Sequence, residues 1–221
     1  MFSQIGLFEY PRQRPSAAAS SGNSARSLSR PLLKAGHVYK RFTLASGKKV
    51  TLRVIRWEDL DGLLWFINSL VKEKQRDSRS GLYSGFDTKV TREEEARWLA
   101  QTLVEIEGGE VINAIAEIDG KIIANGEVTR GRYKDTRHHG HVGLTMISGY
   151  RGQGIGRRII ETLVRESRRT GLKTLEAEFL AENETARRAY QKGGFKQAGI
   201  IPHKLFRNGK YFDGLIMARE L

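Results

Sequence analysis

From residue 37 onward the apolar positions of the chain switch between two periods, one near two residues and one near three and a half. Residues 38–44 and 49–56 alternate apolar and polar side chains around Ser46-Gly47, which predicts a hairpin. Residues 58–74 then carry Leu60, Leu63, Leu64, Ile67, Leu70 and Val71 at helical spacing. The connection at 76–90 is polar and holds two aromatics with an exposed look, Tyr83 and Phe86. Thr91-Arg92-Glu93-Glu94 has the form of a capping box and opens a second helix that ends near Gly108-Gly109. Residues 111–118 and 121–129 flank Asp119-Gly120, a strong two-residue hairpin signal.

The most regular stretch runs from Val142 to Gly171. Val142, Leu144 and Met146 alternate as in a strand, and Gly149, Gly152, Gly154 and Gly156 crowd the turn that follows. Ile155, Ile159, Ile160, Leu163 and Val164 then form a helical stripe, with Arg157, Arg158, Glu161, Arg165 and Glu166 on the opposite, solvent-directed face. Gly171 stops the helix behind a basic last turn, Arg168 and Arg169. A short strand at 175–179, a helix after Asn183, and strands at 195–201 and 211–218 complete the chain, with a basic loop, 203–210, between the last two. The order predicts a mixed α/β domain with a mainly antiparallel central sheet flanked by helices.

Composition alters this picture in two places. Residues 1–36 hold seven Ser, five basic residues and only one acid, Glu9, too little apolar surface to bury. They are expected to form a basic, disordered tail, with an Arg/Ser-rich transit peptide as the alternative, and the domain proper is expected over 37–221. The whole chain of 221 residues carries a formal charge of +13, a field that attracts anions. It has no cysteine, which excludes a disulfide framework and a Cys-linked intermediate and fits a reducing cytoplasm. No apolar run approaches the ~18 residues of a membrane helix. The five His show no ligand spacing along the chain, so no metal is expected.

The chemistry concentrates at the glycine-rich turn. A strand, a bare turn and a helix start leave several backbone N–H groups unpaired at the positive end of a helix, where phosphate is the usual tenant. A dinucleotide fingerprint would need Gly where Arg157 stands, and a P-loop would need Gly-Lys-Ser/Thr. A purely structural turn is the other reading of the loop alone.

Arg151-x-x-Gly154-x-Gly156, followed by Asn183-x-x-Ala186-x-x-x-Tyr190-x-x-x-Gly194-Phe195, resembles the two signatures of the GCN5-related N-acetyltransferase (GNAT) family, in the right order and spacing. The resemblance spans residues 38–221 and is sharpest over 142–195. It implies the acyl-CoA N-acyltransferase fold, in which the strand before the glycine loop and the strand after its helix splay apart around acyl-CoA. It implies direct transfer of an acetyl group from acetyl-CoA to a primary amine. The pyrophosphate would lie on the amides of Gly152, Gln153, Gly154, Ile155, Gly156 and Arg157, with Arg151, Arg157 or Arg158 adding charge. Strand backbone at Leu144, Thr145 and Met146 would orient the pantetheine arm and meet the developing oxyanion. Tyr190 falls at the position of the acid that protonates the departing thiolate, and Asn183 would contact CoA, cap its helix, or do both.

The amine needs a base in proportion to its basicity. A lysine-like amine of pKa about 10.4 costs about 4.6 kcal/mol to neutralise at pH 7, an α-amine near 7.7 only about 1 kcal/mol. Glu178 matches the base position of the ribosomal-protein alanine acetyltransferase branch, with Glu176, Glu127 or water as substitutes. Protein N-termini or lysines are favoured as acceptors over small amines. Glu93-Glu94-Glu95, the one acidic cluster, reads as a helix-start charge arrangement. A homodimer is compatible with the chain, and neither nucleic acid nor a membrane is required. The alternative from another class is a non-catalytic basic module that binds CoA or nucleic acid.

Overall fold

The computed structural model describes residues 33–77, 81–82, 85 and 87–221. Tyr83, Phe86 and most of the basic N-terminal stretch lie outside them. Just before residue 37, Leu33 packs against the apolar core, and the Gly36 N–H donates to the Ile55 carbonyl at 3.2 Å.

Eight strands form one sheet. β1 (Val38–Thr43), β2 (Lys49–Arg53), β3 (Val111–Ile118), β4 (Lys121–Arg130), β5 (His139–Met146) and β6 (Thr174–Leu180) lie side by side. β8 (Lys210–Glu220) follows next to β6, and β7 (Lys196–Arg207) forms the far edge. Only β5 and β6 run parallel, because a helix crosses between them; the other neighbours are antiparallel.

Helices cover the two faces unequally. α1 (Leu60–Arg76) and α2 (Arg92–Glu107) bury Leu63, Phe66, Leu70, Leu99 and Ile106 with Ile115 and Ile122 of the sheet. The capping box at the start of α2 forms as expected, with the Thr91 N–H donating to Glu94 Oε2 at 2.8 Å and the Glu94 N–H to Thr91 Oγ1 at 3.3 Å. On the other face α3 (Ile155–Arg169) lays its apolar stripe over β3, β4 and β5. It comes close because Gly126 lacks a side chain: a Cβ there would stand 2.5 Å from Ile159 Cγ2. α4 (Glu184–Lys192) packs beside α3 on the same face.

Two expectations need correction. Residues 203–210 are not a loop: β7 continues to Arg207, and the chain reverses in two residues, Asn208 and Gly209, with φ of 49° and 75°. That left-handed pair is what an Asn-Gly hairpin turn requires, so both strands extend to the tip. Glu166 is not on a solvated face either. Its carboxylate is buried and ion-paired to Arg165 and Arg169 at 2.9 and 2.8 Å, which compensates its burial.

Candidate active site

The sheet opens along one line. β5 and β6 are paired only at His139–Thr174, Gly140–Leu175 and His141–Glu176. Above those rungs β5 stays paired to β4 as far as Met146, and β6 to β8 as far as Leu180. The inner edges of residues 142–146 and 177–180 therefore face each other across a fork without a common ladder. Leu144 and Met146 turn their side chains toward Gly156 of α3, and Thr145 points to the α1/α2 face. Leu144, Thr145 and Met146 thus offer backbone, not side chains, to the fork.

The glycine turn stands at the open end of the fork. Gly152 and Gly154 have φ of 76° and 79°, and a Cβ on either would meet nothing within 4 Å. Their surroundings are open ground on the side where the helix begins. Gly154 caps α3 without a side chain, and among the described residues the amides of residues 152–157 donate to no protein acceptor. Six open N–H groups at a positive helix end offer the chemistry that an anion needs. The neighbouring basic residues make contacts within the protein. Arg151 donates to the Met146 carbonyl at 2.7 and 3.0 Å and pairs with Glu73 of α1 at 2.7 Å, so it braces the loop internally. Arg158 lies 4.3 Å over the Phe42 ring, and Arg157 bonds Glu161 on the surface. Gln153 donates to the Gly149 carbonyl at 3.1 Å, and Ile155 is fully buried.

Tyr190 reaches the fork from α4. Its ring is buried, stacked on Phe179 of β6 at 5.2 Å and edge-on to Phe195 at 5.2 Å. Burial holds its phenol protonated well above the ordinary range. The proton is thus present at every physiological pH, so the phenol is available as a hydrogen-bond donor. Asn183 caps α4 through Oδ1, which accepts the Ala186 N–H at 3.0 Å, and its Nδ2 donates to the Gly81 carbonyl at 3.1 Å. Both ends of that amide hold protein, so the helix-cap half of its expected role is the one the geometry displays.

Three carboxylates flank the fork on the face opposite Tyr190. Side chains alternate along β6: Phe179 joins the α3-side core, whereas Glu178 and Glu176 point the other way. Glu178 is buried and lies 3.4 Å from Lys204 of β7. Glu176 sits half-buried 3.8 Å from His139 and 3.7 Å from His141. Glu127 on β4 is buried, and desolvation together with the charge of Glu105 pushes its carboxyl up to about 8, so it is largely protonated at neutral pH.

A family model described as the acetyltransferase (GNAT) family matches residues 71–195. The chain belongs to the GNAT family. It is 25% identical over 182 residues to YwnH of Bacillus subtilis (strain 168), provisionally assigned as a phosphinothricin acetyltransferase; the match covers 78% of this chain and 99% of that one. Two solved structures share the fold. A ribosomal-protein-alanine N-acetyltransferase from Brucella melitensis has a TM-score of 0.65 at 24% identity, covering 77% of this chain and 99% of its own. The acetyltransferase yncA from Salmonella typhimurium, solved with acetyl-CoA, has a TM-score of 0.65 at 19% identity, covering 78% and 94%.

This GNAT chain is thus an acetyl-CoA-dependent acetyltransferase, which retires the binding-module alternative. The residues present fit that co-substrate: bare amides over open glycine ground for a diphosphate, and free strand edges for the arm that carries the thioester. Among the described residues no helix is long and apolar enough to cross a membrane.

Sequence reasoning missed two groups near the fork. Glu95 is not part of a solvated acidic cluster. It is buried with Leu63, Phe66, Ile67, Trp98, Asn125 and Thr145 around a small recess, its Oε2 lacks a described partner, and burial pushes its carboxyl up to about 7. Its place in the sequence, directly after the exposed Glu93 and the capping Glu94, gave no sign of this. His139, His141 and Glu176 also come together. The i, i+2 spacing of the two His on a strand was the available signal, but Glu176 joins them only through the parallel pairing.

Proposed function

We propose that this GNAT enzyme acetylates a primary amine that arrives on the Glu178 face of the sheet, while Tyr190 serves the leaving sulfur from the α3/α4 face. The observation that carries this reading is the placement of the two groups on opposite faces of one strand at an open fork. Bound acetyl-CoA supplies an activated acetyl group on sulfur. The amides of residues 152–157 hold the diphosphate, and the inner edge of residues 144–146 orients the thioester carbonyl by backbone hydrogen bonds. Glu178, directly or through a water, accepts the ammonium proton and releases the nucleophilic lone pair. Tyr190 donates to the sulfur as negative charge gathers there.

A protein N-terminus or lysine is the favoured acceptor. A small amine carrying an acidic group is the second reading, supported by the assignment of YwnH and by the basic residues Lys204 and Arg207 on the neighbouring strand. Glu178→Gln, assayed at pH 7 with an N-terminal peptide, a lysine peptide and an acidic amino-acid-type amine, tests the base. Turnover should fall for every acceptor, and most for lysine, whose ammonium is hardest to deprotonate. Unchanged turnover with all three would move the base to Glu176 or to water, or to the ionised minority of Glu127. The same panel ranks the acceptors.

A further inference from the structure

We propose that His139, His141 and Glu176 bind one divalent transition-metal ion of the zinc class at the base of the fork, as an accessory ion and not as a participant in acetyl transfer. His139 and His141 stand two apart on β5, so both rings project from the same face, away from α3. Pairing places His141 opposite Glu176 on β6. His139 Nε2 is 3.8 Å from one Glu176 oxygen and His141 Nδ1 3.7 Å from the other, and one ligand atom from each residue falls within a 4.8 Å set. Those separations are too long for hydrogen bonds between them. They exceed the roughly 3.4 Å between ligands of a tetrahedral zinc held at about 2.1 Å by a few tenths of an ångström, and the set as a whole spans up to 4.8 Å, so closure needs side-chain shifts of about 1 Å.

The surroundings favour coordination over a plain ion pair. His139 Nδ1 lies 2.8 Å from Thr174 Oγ1, which fixes the ring and leaves Nε2 directed at the carboxylate, the usual support of a metal-bound histidine. The two rings meet edge to face at 88°, with centroids 4.8 Å apart, so they do not stack over the gap. The three side chains are 23–36% exposed, which gives an ion access from solvent. Two imidazoles and a carboxylate suit zinc, cobalt, nickel or copper, not magnesium or calcium. Three protein ligands leave a position for water or for an anionic group.

The test uses the full chain without a histidine tag and without acetyl-CoA. Calorimetric titration with zinc should show one saturable ion per chain. His141→Ala and Glu176→Gln should each weaken it at least tenfold, and Thr174→Val about tenfold, whereas His37→Ala and His203→Ala should leave it unchanged. Cobalt added to the unaltered protein should shift the ring-proton resonances of His139 and His141 selectively, a readout that does not depend on any variant folding. Absence of saturable binding, binding indifferent to His141→Ala and Glu176→Gln, or cobalt shifts centred on another histidine would each overturn the site.

Discussion

Helices α3 and α4 lie side by side on one face of the sheet, and they begin in opposite ways. α3 starts at Gly154, which has no side chain to cap it, and its first amides are left open. α4 starts at Asn183, whose side chain satisfies the Ala186 N–H and ties down Gly81. A helix start completed by its own side chain is a structural joint; one left incomplete is a place for an external anion. In the proposed function that difference becomes a division of labour: α3 contributes backbone to the site and α4 a side chain, Tyr190.

Four substitutions probe that contrast, in decreasing order of effect. Gly154→Val places a branched side chain on the open ground at φ 79°, so acetyl-CoA binding measured by calorimetry should be lost; full affinity would locate the diphosphate elsewhere. The strain itself should cost about 1–3 kcal/mol in a denaturant melt. Tyr190→Phe keeps the stack with Phe179, so acetyl-CoA affinity should persist while kcat drops about 10²-fold or more; an unaltered kcat would leave Tyr190 a core aromatic. Asn183→Ala should lower stability by about 1 kcal/mol, as loss of a helix cap does, with the acetyl-CoA Kd nearly constant. A marked loss of affinity there would show that Asn183 also serves the ligand. Arg157→Ala removes only an exposed pair with Glu161, worth about 0.3–0.5 kcal/mol. A large change in acetyl-CoA Kd would restore it as a phosphate contact.

Buried carboxyls add a pH signature. The Glu127 carboxyl titrates near 8 in the folded protein, above its ordinary value, so the folded state holds a proton that the unfolded state has released between about pH 4.5 and 8. Its contribution to stability therefore falls as pH rises through that window. Glu127→Gln should flatten the decline in melting temperature, and an identical pH profile would remove Glu127 as its source.

Much of the fold was legible because local signals agreed with one another. The apolar periods, Asp119-Gly120, the Thr91 box and the bare glycine turn each specify structure within a few residues, and each element formed near its expected limits. The misses depend on contacts distant in sequence. The pairing of Arg151 with Glu73 of α1 is one such contact. Glu95 and Glu166 occupy helix positions that read as solvated, and only packing against the sheet or flanking arginines buries them. Asn208-Gly209 was a local signal, overlooked inside a run of basic residues. The family signatures name Tyr190 and the glycine turn, but they contain nothing about Glu176 meeting two histidines.

The three rungs that join β5 to β6 carry a mechanical meaning. Five strands on one side and three on the other share a seam only His139 to His141 long, so this sheet is close to being two sheets. Backbone amides along the gap should exchange with solvent without any unfolding, and a ligand laid between the strands would stitch the halves together. Loading the co-substrate would then make the protein stiffer as well as ready to react.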